Sequence, residues 1–529
     1  MQADKRKQIA FYLFYSGLVL LVASLPLSKF TMSIAQFLIA GGWLLDGAPG
    51  EKFKKFFHSK PALIVTSLYL LHLIGLLYTS DFIYAWKDLR IKLPILILPL
   101  LLSTAPKINT KQFEGILMAL IGGVTISTLI SLLIFVGVIN RPVNDIRDIS
   151  IFISHIRLAL LCCLSIVAII WIIFTNRQSV SIRNYYLLLP VLVWLLYFLF
   201  LLESLTGIII LLTTAIIVLN WLIFKYSGWL PRLLVVVMSI AVPAFIYFYV
   251  KSVNHTFVER QTIESSQLEQ YTPSGNIYMH FTDRDDFENG YPLWLYLCES
   301  ELQEQWNKRS TLVYSGKDER NQEIKYTLMR FITSKGLRKD SAGVWMLTPT
   351  EIASIESGIA NVDYQEKGNI RVRIHQVLWE LYQYKKTGNP SGHSVSQRLE
   401  FWKSATGIIE NNLIAGVGTG DSPKAFQEQY LFMETTLSPE WRLRAHNQYL
   451  SIAVSFGCIG LAWFLFTLIH PLISQIRKTD VLYVSFSIIS MMSMLTEDTL
   501  ETQAGVTFFA LFTSLFLFVN PHNKSTGVK

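Results

Sequence analysis

The sequence predicts an α-helical polytopic membrane protein with about twelve transmembrane helices and one large loop domain before the tenth. Three observations carry this. The chain has 529 residues, of which 51% are hydrophobic and 16% charged, with a mean hydropathy of +0.38; a soluble chain of this length carries more charge. Its apolar residues gather in runs of about 18–25, the length a helix needs to span a bilayer. Between 251 and 445 those runs stop, over a stretch long enough to form a domain of its own.

The apolar runs fall at about 10–28, 31–46, 62–79, 91–104, 113–138, 151–174, 186–202, 205–224, 230–250, 446–470, 480–496 and 503–520. With the N-terminus inside, the inner segments collect the cations: Lys5, Arg6 and Lys7; Lys52, Lys54, Lys55 and Lys60; Lys107 and Lys111; Arg177 and Arg183; Lys225 and Arg232; Arg477 and Lys478; Lys524 and Lys529. This agrees with the positive-inside bias and predicts cytoplasmic termini and an outer large loop. The net charge of +8 therefore reads as topology, and no nucleic-acid partner is expected. The expected domains are 1–250, a bundle of about nine helices; 251–445, the loop domain; and 446–529, about three helices and a tail.

Some outer charges depart from the bias. Residues 85–92 hold Lys87, Arg90 and Lys92. They read either as an amphipathic segment whose side chains snorkel to the headgroups or as part of an outward-facing anion site. Arg157 follows Ser154 and His155 at the lip of the 151–174 run, where an ionisable group is costly unless paired or functional. The short turn Glu203-Ser204-Leu205-Thr206-Gly207 has the small residues that close helix packing uses.

Within the loop domain, 273–350 alternates short β-rich runs, 276–281 and 311–314, with charged turns, and reads as a small α+β insertion. From 351 to 445 apolar residues recur at helical steps. The acidic run 283–288 lacks the glycine and spacing of a calcium loop. The four cysteines (162, 163, 298 and 458) have neither metal-knuckle nor obvious disulfide spacing, and no metal site is expected.

The chain is organised around 394–460. A helix beginning there carries Arg398, Trp402 and Lys403. It is followed by Gly416-Val417-Gly418-Thr419-Gly420-Asp421, which lacks the strand and the Lys-Ser/Thr of a nucleotide P-loop. Such a turn either binds an anion through its amides or caps the helix. Arg442, Arg444 and His446-Asn447 then stand where polar loop becomes span. Gly457 lies eleven residues after His446, about three helical turns, so that Gly457 and Gly460 would share a face below the histidine and pack closely. The last outer turn, 496–503, brings Glu497, Asp498 and Glu501 to the same side.

The pattern His446, Asn447, Gly457, Gly460 resembles the signature of the O-antigen ligase and polymerase superfamily. Arg398, Trp402 and the glycines 416, 418 and 420 resemble that family's loop motif. The resemblance implies a GT-C-like, metal-independent glycosyltransferase without a cofactor, acting at the periplasmic face of the bacterial inner membrane. It would move a glycan from undecaprenyl diphosphate, held among membrane lipid, to an acceptor hydroxyl, the lipid A core in a ligase, with inversion. It implies that Arg398 holds the diphosphate and His446 serves the reaction centre. The family often has an arginine just after the serine of the short outer turn; here Leu205 and Thr206 follow Ser204. The second cation would then come from Arg157, Arg90 or Arg444, with Gly418 and Gly420 cradling the anion. Asn447, Glu497, Glu501 and Trp402 would orient His446 or the acceptor.

The residue chemistry suits this transfer. Charge grows on a departing diphosphate, and arginine offers bidentate, permanently charged donors for it. The acceptor hydroxyl needs a base, and histidine is the side chain that ordinarily titrates near neutrality. Polymerase and protein O-oligosaccharyltransferase activities share the signature. A transporter is the reading from another class, but the sequence has no internal repeat, no paired broken helices and no mid-span acid.

Overall fold

The computed structural model describes residues 2–141, 143, 146–175, 182–258, 260, 268–365, 369–478 and 480–521. Arg177, Lys524 and Lys529 lie outside the described residues. The chain divides into two compact units, Met1–Val236 with Gln383–Lys529, and Val237–Tyr382.

In chain order the first unit holds α1 (Gln2–Ser24), α2 (Lys29–Leu45), α3 (Pro49–Phe57), α4 (Lys60–Ile74), α5 (Phe82–Ser103), α6 (Thr110–Phe135), α7 (His155–Thr175), α8 (Ile182–Leu201), α9 (Leu205–Tyr226) and the start of α10 (Trp229–Val258). The second unit contains α11 (Glu299–Arg309), α12 (Ile324–Ser334), α13 (Ser341–Trp345), α14 (Pro349–Glu356) and most of α15 (Ile370–Thr387). The chain then returns to the first unit through α16 (Ser394–Asn411), α17 (Ser422–Phe432), α18 (Gln448–Lys478), α19 (Val481–Ser493) and α20 (Gln503–Ser514).

Among the described residues, seven helices are long and apolar enough to cross a membrane: Asp4–Ser24, Lys60–Tyr78, Thr110–Phe135, His155–Thr175, Leu205–Tyr226, Trp229–His255 and Gln448–Lys478. Lys29–Leu45, Leu187–Leu201, Val481–Ser493 and Gln503–Val519 are apolar but shorter. The protein is a polytopic membrane protein. Helix packing in lipid relies on close approach more than on hydrophobic drive, and α1 with α2 illustrates it: a Cβ added at Gly42 would stand 2.5 Å from the Phe14 nitrogen.

The second unit is mostly helical around Leu302, Trp306, Leu328, Phe331, Ile332 and Ile355. The β-rich runs expected at 276–281 and 311–314 do not form a sheet. The two-residue strands β1 (Phe287–Glu288) and β2 (Tyr291–Pro292) pair as a hairpin across Asn289 and Gly290, both at positive φ (49° and 83°), as a tight hairpin turn requires. Residues 276–281 make only isolated bridges, Tyr271 with Ile277 and Met279 with Leu297. The alternation there is satisfied by side-chain burial instead: Tyr278 packs edge-on against Tyr296 and its hydroxyl donates to Asp340. Residues 311–314 form a turn that buries Tyr314.

One departure from sequence expectation matters for the site. The stretch after His446 is not one continuous helix, because α18 breaks at Gly457 (φ 62°, ψ −162°), a conformation essentially reserved for glycine. An unbroken helix would pair Cys458 N–H with the Val454 carbonyl and Ile459 N–H with that of Ser455. Here Cys458 N–H donates to Leu413 O (2.8 Å) and Ile459 N–H to Ile414 O (3.4 Å). Val454 O and Ser455 O accept from Val417 and Gly418 N–H, at 2.9 Å each. The loop between α16 and α17 thus replaces the hydrogen bonds the break removes, as a non-aqueous surrounding demands. A Cβ at Gly457 would lie 2.2 Å from Ile414 O. Gly457→Ala is therefore expected to cost about 1–3 kcal/mol in backbone strain alone, with the clash added. Thermal unfolding in detergent checks this against Gly122→Ala, where an added Cβ meets nothing within 4 Å.

Candidate functional site

The junction between α17, the loop before α18, and the α19–α20 turn frames an open cavity of about 450 Å³. Its lining includes Lys87, Arg157, Arg442, Arg444, His446 and Glu497. Those residues come from α5, α7, the 433–447 loop and the turn after α19, so that segments far apart in sequence meet at one place.

His446 is held by its backbone. It has φ 46°, a left-handed conformation uncommon for a residue with a side chain. Its N–H donates to Asp498 Oδ2 (3.1 Å), and Asp498 Oδ1 accepts from Asn447 N–H (3.0 Å) and Ser451 Oγ (2.7 Å). Asn447 caps the start of α18, its Oδ1 accepting from Tyr449 and Leu450 N–H, and its Nδ2 donates to Leu495 O. Trp402 Nε1 donates to Ala445 O (3.1 Å) from α16, and the His446 ring tilts against Phe401 at 5.6 Å. Trp402 and Asn447 thus fix the turn that carries His446, and neither lines the cavity.

The two glutamates four residues apart have opposite environments. Glu501 accepts from Arg444 (2.8 Å) and Lys92 (3.1 Å). Burial alone would raise its carboxyl, but Lys92 and Arg444 prevail and hold it well below its ordinary value. Burial would likewise lower the Arg444 guanidinium, and Glu501 prevails to raise it. Lys92 also donates to Asp88 and is 1% exposed. Lys92 is thus enclosed in a neutralising network and does not snorkel. Glu497 has weaker compensation. Arg398 approaches it at 3.8 Å, and burial outweighs His446, Arg157 and Arg398 to push its carboxyl above the ordinary value. A group raised in this way loses stability on ionising. Glu497→Gln is therefore expected to leave thermal stability unchanged or higher at neutral pH, as a melting comparison would record.

The anion-site candidates separate. Arg157 and Arg444 line the cavity, and Arg398 reaches its edge through Glu497. Arg90 is exposed and is not among the lining residues. Gly418 and Gly420 lie elsewhere: their N–H groups donate to Ser455 O and Thr79 Oγ1, so those amides are taken up in docking the loop onto α18 and the segment that follows α4. Asp421 completes that joint by accepting from Ser80 and Asp81 N–H. The Glu203–Gly207 turn performs packing: Ser204 Oγ accepts from Gly207 N–H, and a Cβ on Gly207 would stand 2.8 Å from Ala159 of α7.

The sequence placed Lys87 in the stretch 85–92, read in one alternative as part of an anion site, and set Arg442 and Asp498 beside His446, but it assigned none of the three an individual role. For Asp498 the available signal was its place in the acidic outer turn. Its partners, two backbone N–H groups and the Ser451 hydroxyl, lie some fifty residues away, which no spacing rule reports. Among the described residues, no cluster of three or more His, Cys, Asp or Glu side chains could hold a metal ion. The arrangement offers a histidine on a rigid turn, several guanidinium groups and the Glu497 carboxyl beside them, the equipment to bind an anion and move a proton beside it.

A family model described as O-antigen ligase matches residues 344–465. No curated protein matches the sequence.

Proposed function

We propose that this chain, which carries an O-antigen ligase domain, transfers a glycan from undecaprenyl diphosphate to an acceptor hydroxyl at the outer face of the bacterial inner membrane. The observation that carries the reading is the company His446 keeps: one cavity is lined by His446, Arg157, Arg442, Arg444 and Lys87. In this mechanism the acceptor hydroxyl gives its proton to the His446 imidazole as its oxygen attacks the anomeric carbon. The bond from that carbon to the diphosphate oxygen breaks, and the diphosphate leaves with the electron pair. Arg157 and Arg398 meet the charge that develops on it, a role suited to preorganised guanidinium groups. Arg444 is already paired with Glu501, so in this reading it sets the potential of the site more than it grips the substrate. Attack opposite the leaving group inverts the anomeric centre.

The topology that goes with this reading has about twelve crossings, the four shorter apolar helices and α5 joining the seven long ones, and both termini in the cytoplasm. The lipid A core is the acceptor we favour. The test is deletion in the source cell with rescue by wild type, His446→Ala and Arg398→Ala, followed by extraction of lipopolysaccharide and glycoproteins. Loss of all long chains from lipid A, with lipid-linked polymer accumulating, is the expected result. Retention of a single repeat on lipid A would mean a polymerase. Intact lipopolysaccharide with lost protein glycosylation would mean an oligosaccharyltransferase. Unchanged glycans would overturn the enzyme reading in favour of transport.

A further inference from the structure

We propose that the tip of the α16–α17 loop, Leu413 and Ile414, is a re-entrant element seated in the hydrocarbon of the leaflet where α18 begins, and that lipid chains cover it. The inference rests on α18 crossing the membrane and is independent of the chemistry proposed above. The loop is hydrogen-bonded to the interior of α18, not to its end. Gly457 lies nine residues beyond the first residue of α18, about 13–14 Å along a helix axis, and the bonds from Cys458 and Ile459 to Leu413 O and Ile414 O are made there. A second helix also meets the loop short of its own end: Thr419 Oγ1 donates to the carbonyl of His72 (2.6 Å), six residues before the end of the Lys60–Tyr78 span.

The chemistry of the tip fits hydrocarbon. Leu413 is 54% and Ile414 69% exposed. Both border the exposed apolar face of α18 that continues through Ile459, Trp463 and Phe466. The polar backbone at the tip is satisfied: the carbonyls of Leu413 and Ile414 accept from α18 and that of Ala415 accepts from Tyr78 Oη (2.8 Å). Non-helical backbone at membrane depth is tolerated only where such bonds are supplied by protein. A water-exposed loop would need neither the apolar tip nor the carbonyl bonds. The seating would fix the level of α16, which carries Arg398 and Trp402, relative to the lipid.

The test uses the full chain in proteoliposomes, with the four cysteines replaced by serine and a nitroxide attached at Leu413→Cys or, separately, Ile414→Cys. Phe432→Cys, 82% exposed at the end of α17, is the comparison site. Collision of the label with oxygen, which concentrates in hydrocarbon, is measured against collision with a water-soluble nickel chelate. The expected result is a severalfold higher oxygen-to-nickel ratio at 413 and 414 than at 432. Ready access of the nickel chelate at both tip sites would overturn the proposal. Protection from both reagents would also overturn it, since the tip would then be covered by protein. Two tip positions guard against one variant that fails to fold, and monodisperse elution in detergent confirms which variants to compare.

Discussion

His446→Asn is expected to lower glycan transfer by about 10²–10⁴-fold, the contribution of a positioned general base, while leaving the protein folded. Asparagine is the informative replacement because His446 has a positive φ of 46°. Asparagine adopts that conformation more readily than other non-glycine residues, whereas a residue without such tolerance adds roughly 1–2 kcal/mol of strain. His446→Ala would lose activity too, but part of any loss could be traced to the turn. The Asp498 bonds run to the backbone N–H groups of His446 and Asn447, so they survive either change. Transfer measured in membranes, alongside melting of the purified variants, separates the two effects. Full activity in His446→Asn with normal protein level would remove His446 from the reaction.

Glu501→Ala is expected to cost about 3–5 kcal/mol of stability, the usual result of leaving buried charges without their partner. Magnitude decides which regime applies. A solvent-exposed pair contributes about 0–1 kcal/mol, but the Lys92 side chain is 1% exposed and that of Glu501 10%, which places this pair in the buried class. Removing Glu501 leaves Lys92 with Asp88 and Arg444 with the Tyr84 hydroxyl (2.9 Å). The pH dependence follows from the same network. The Glu501 carboxyl is held below its ordinary value of 4.5, so the unfolded chain binds the proton more tightly. Its stabilisation is fully present above that value and is lost as pH falls below it. Glu497 has the opposite sign, since its raised carboxyl makes ionisation unfavourable to folding. Melting curves from neutral pH to below 4.5 should show wild type losing stability and Glu501→Ala losing less. Equal slopes would mean that the Glu501 carboxyl binds its proton equally well in the folded and the unfolded chain.

The membrane character and the principal cations were legible in the sequence because both are one-dimensional signals. Hydrophobic runs of spanning length have few alternative explanations, and charges such as Lys87 and Arg157 stand out against the bias of neighbouring loops. The glycine-rich turn was ambiguous for a physical reason. Its amides suit an anion and a protein carbonyl equally well, and only the position of Ser455 and Thr79 decided that Gly418 and Gly420 bond to the protein. Gly457 was misread as a packing position on a continuous helix because apolar composition continues unbroken through it. Its φ of 62° is a property of the partner loop, whose carbonyls approach too closely for a side chain.

By itself, then, the sequence determined that the chain is a polytopic helical membrane protein, that it carries the marks of one superfamily, and that cations and a histidine gather near the start of a span. Those features depend on residue type and local order. The tertiary structure alone decided how the charges are shared. It enclosed Lys92 with Asp88 and Glu501, left Glu497 a raised carboxyl near Arg398, kept Arg90 out of the cavity, and fastened His446 to Asp498. Each of these is a matter of distance between segments remote in sequence. Coulomb and hydrogen-bond energies act over a few ångströms of space, regardless of separation along the chain.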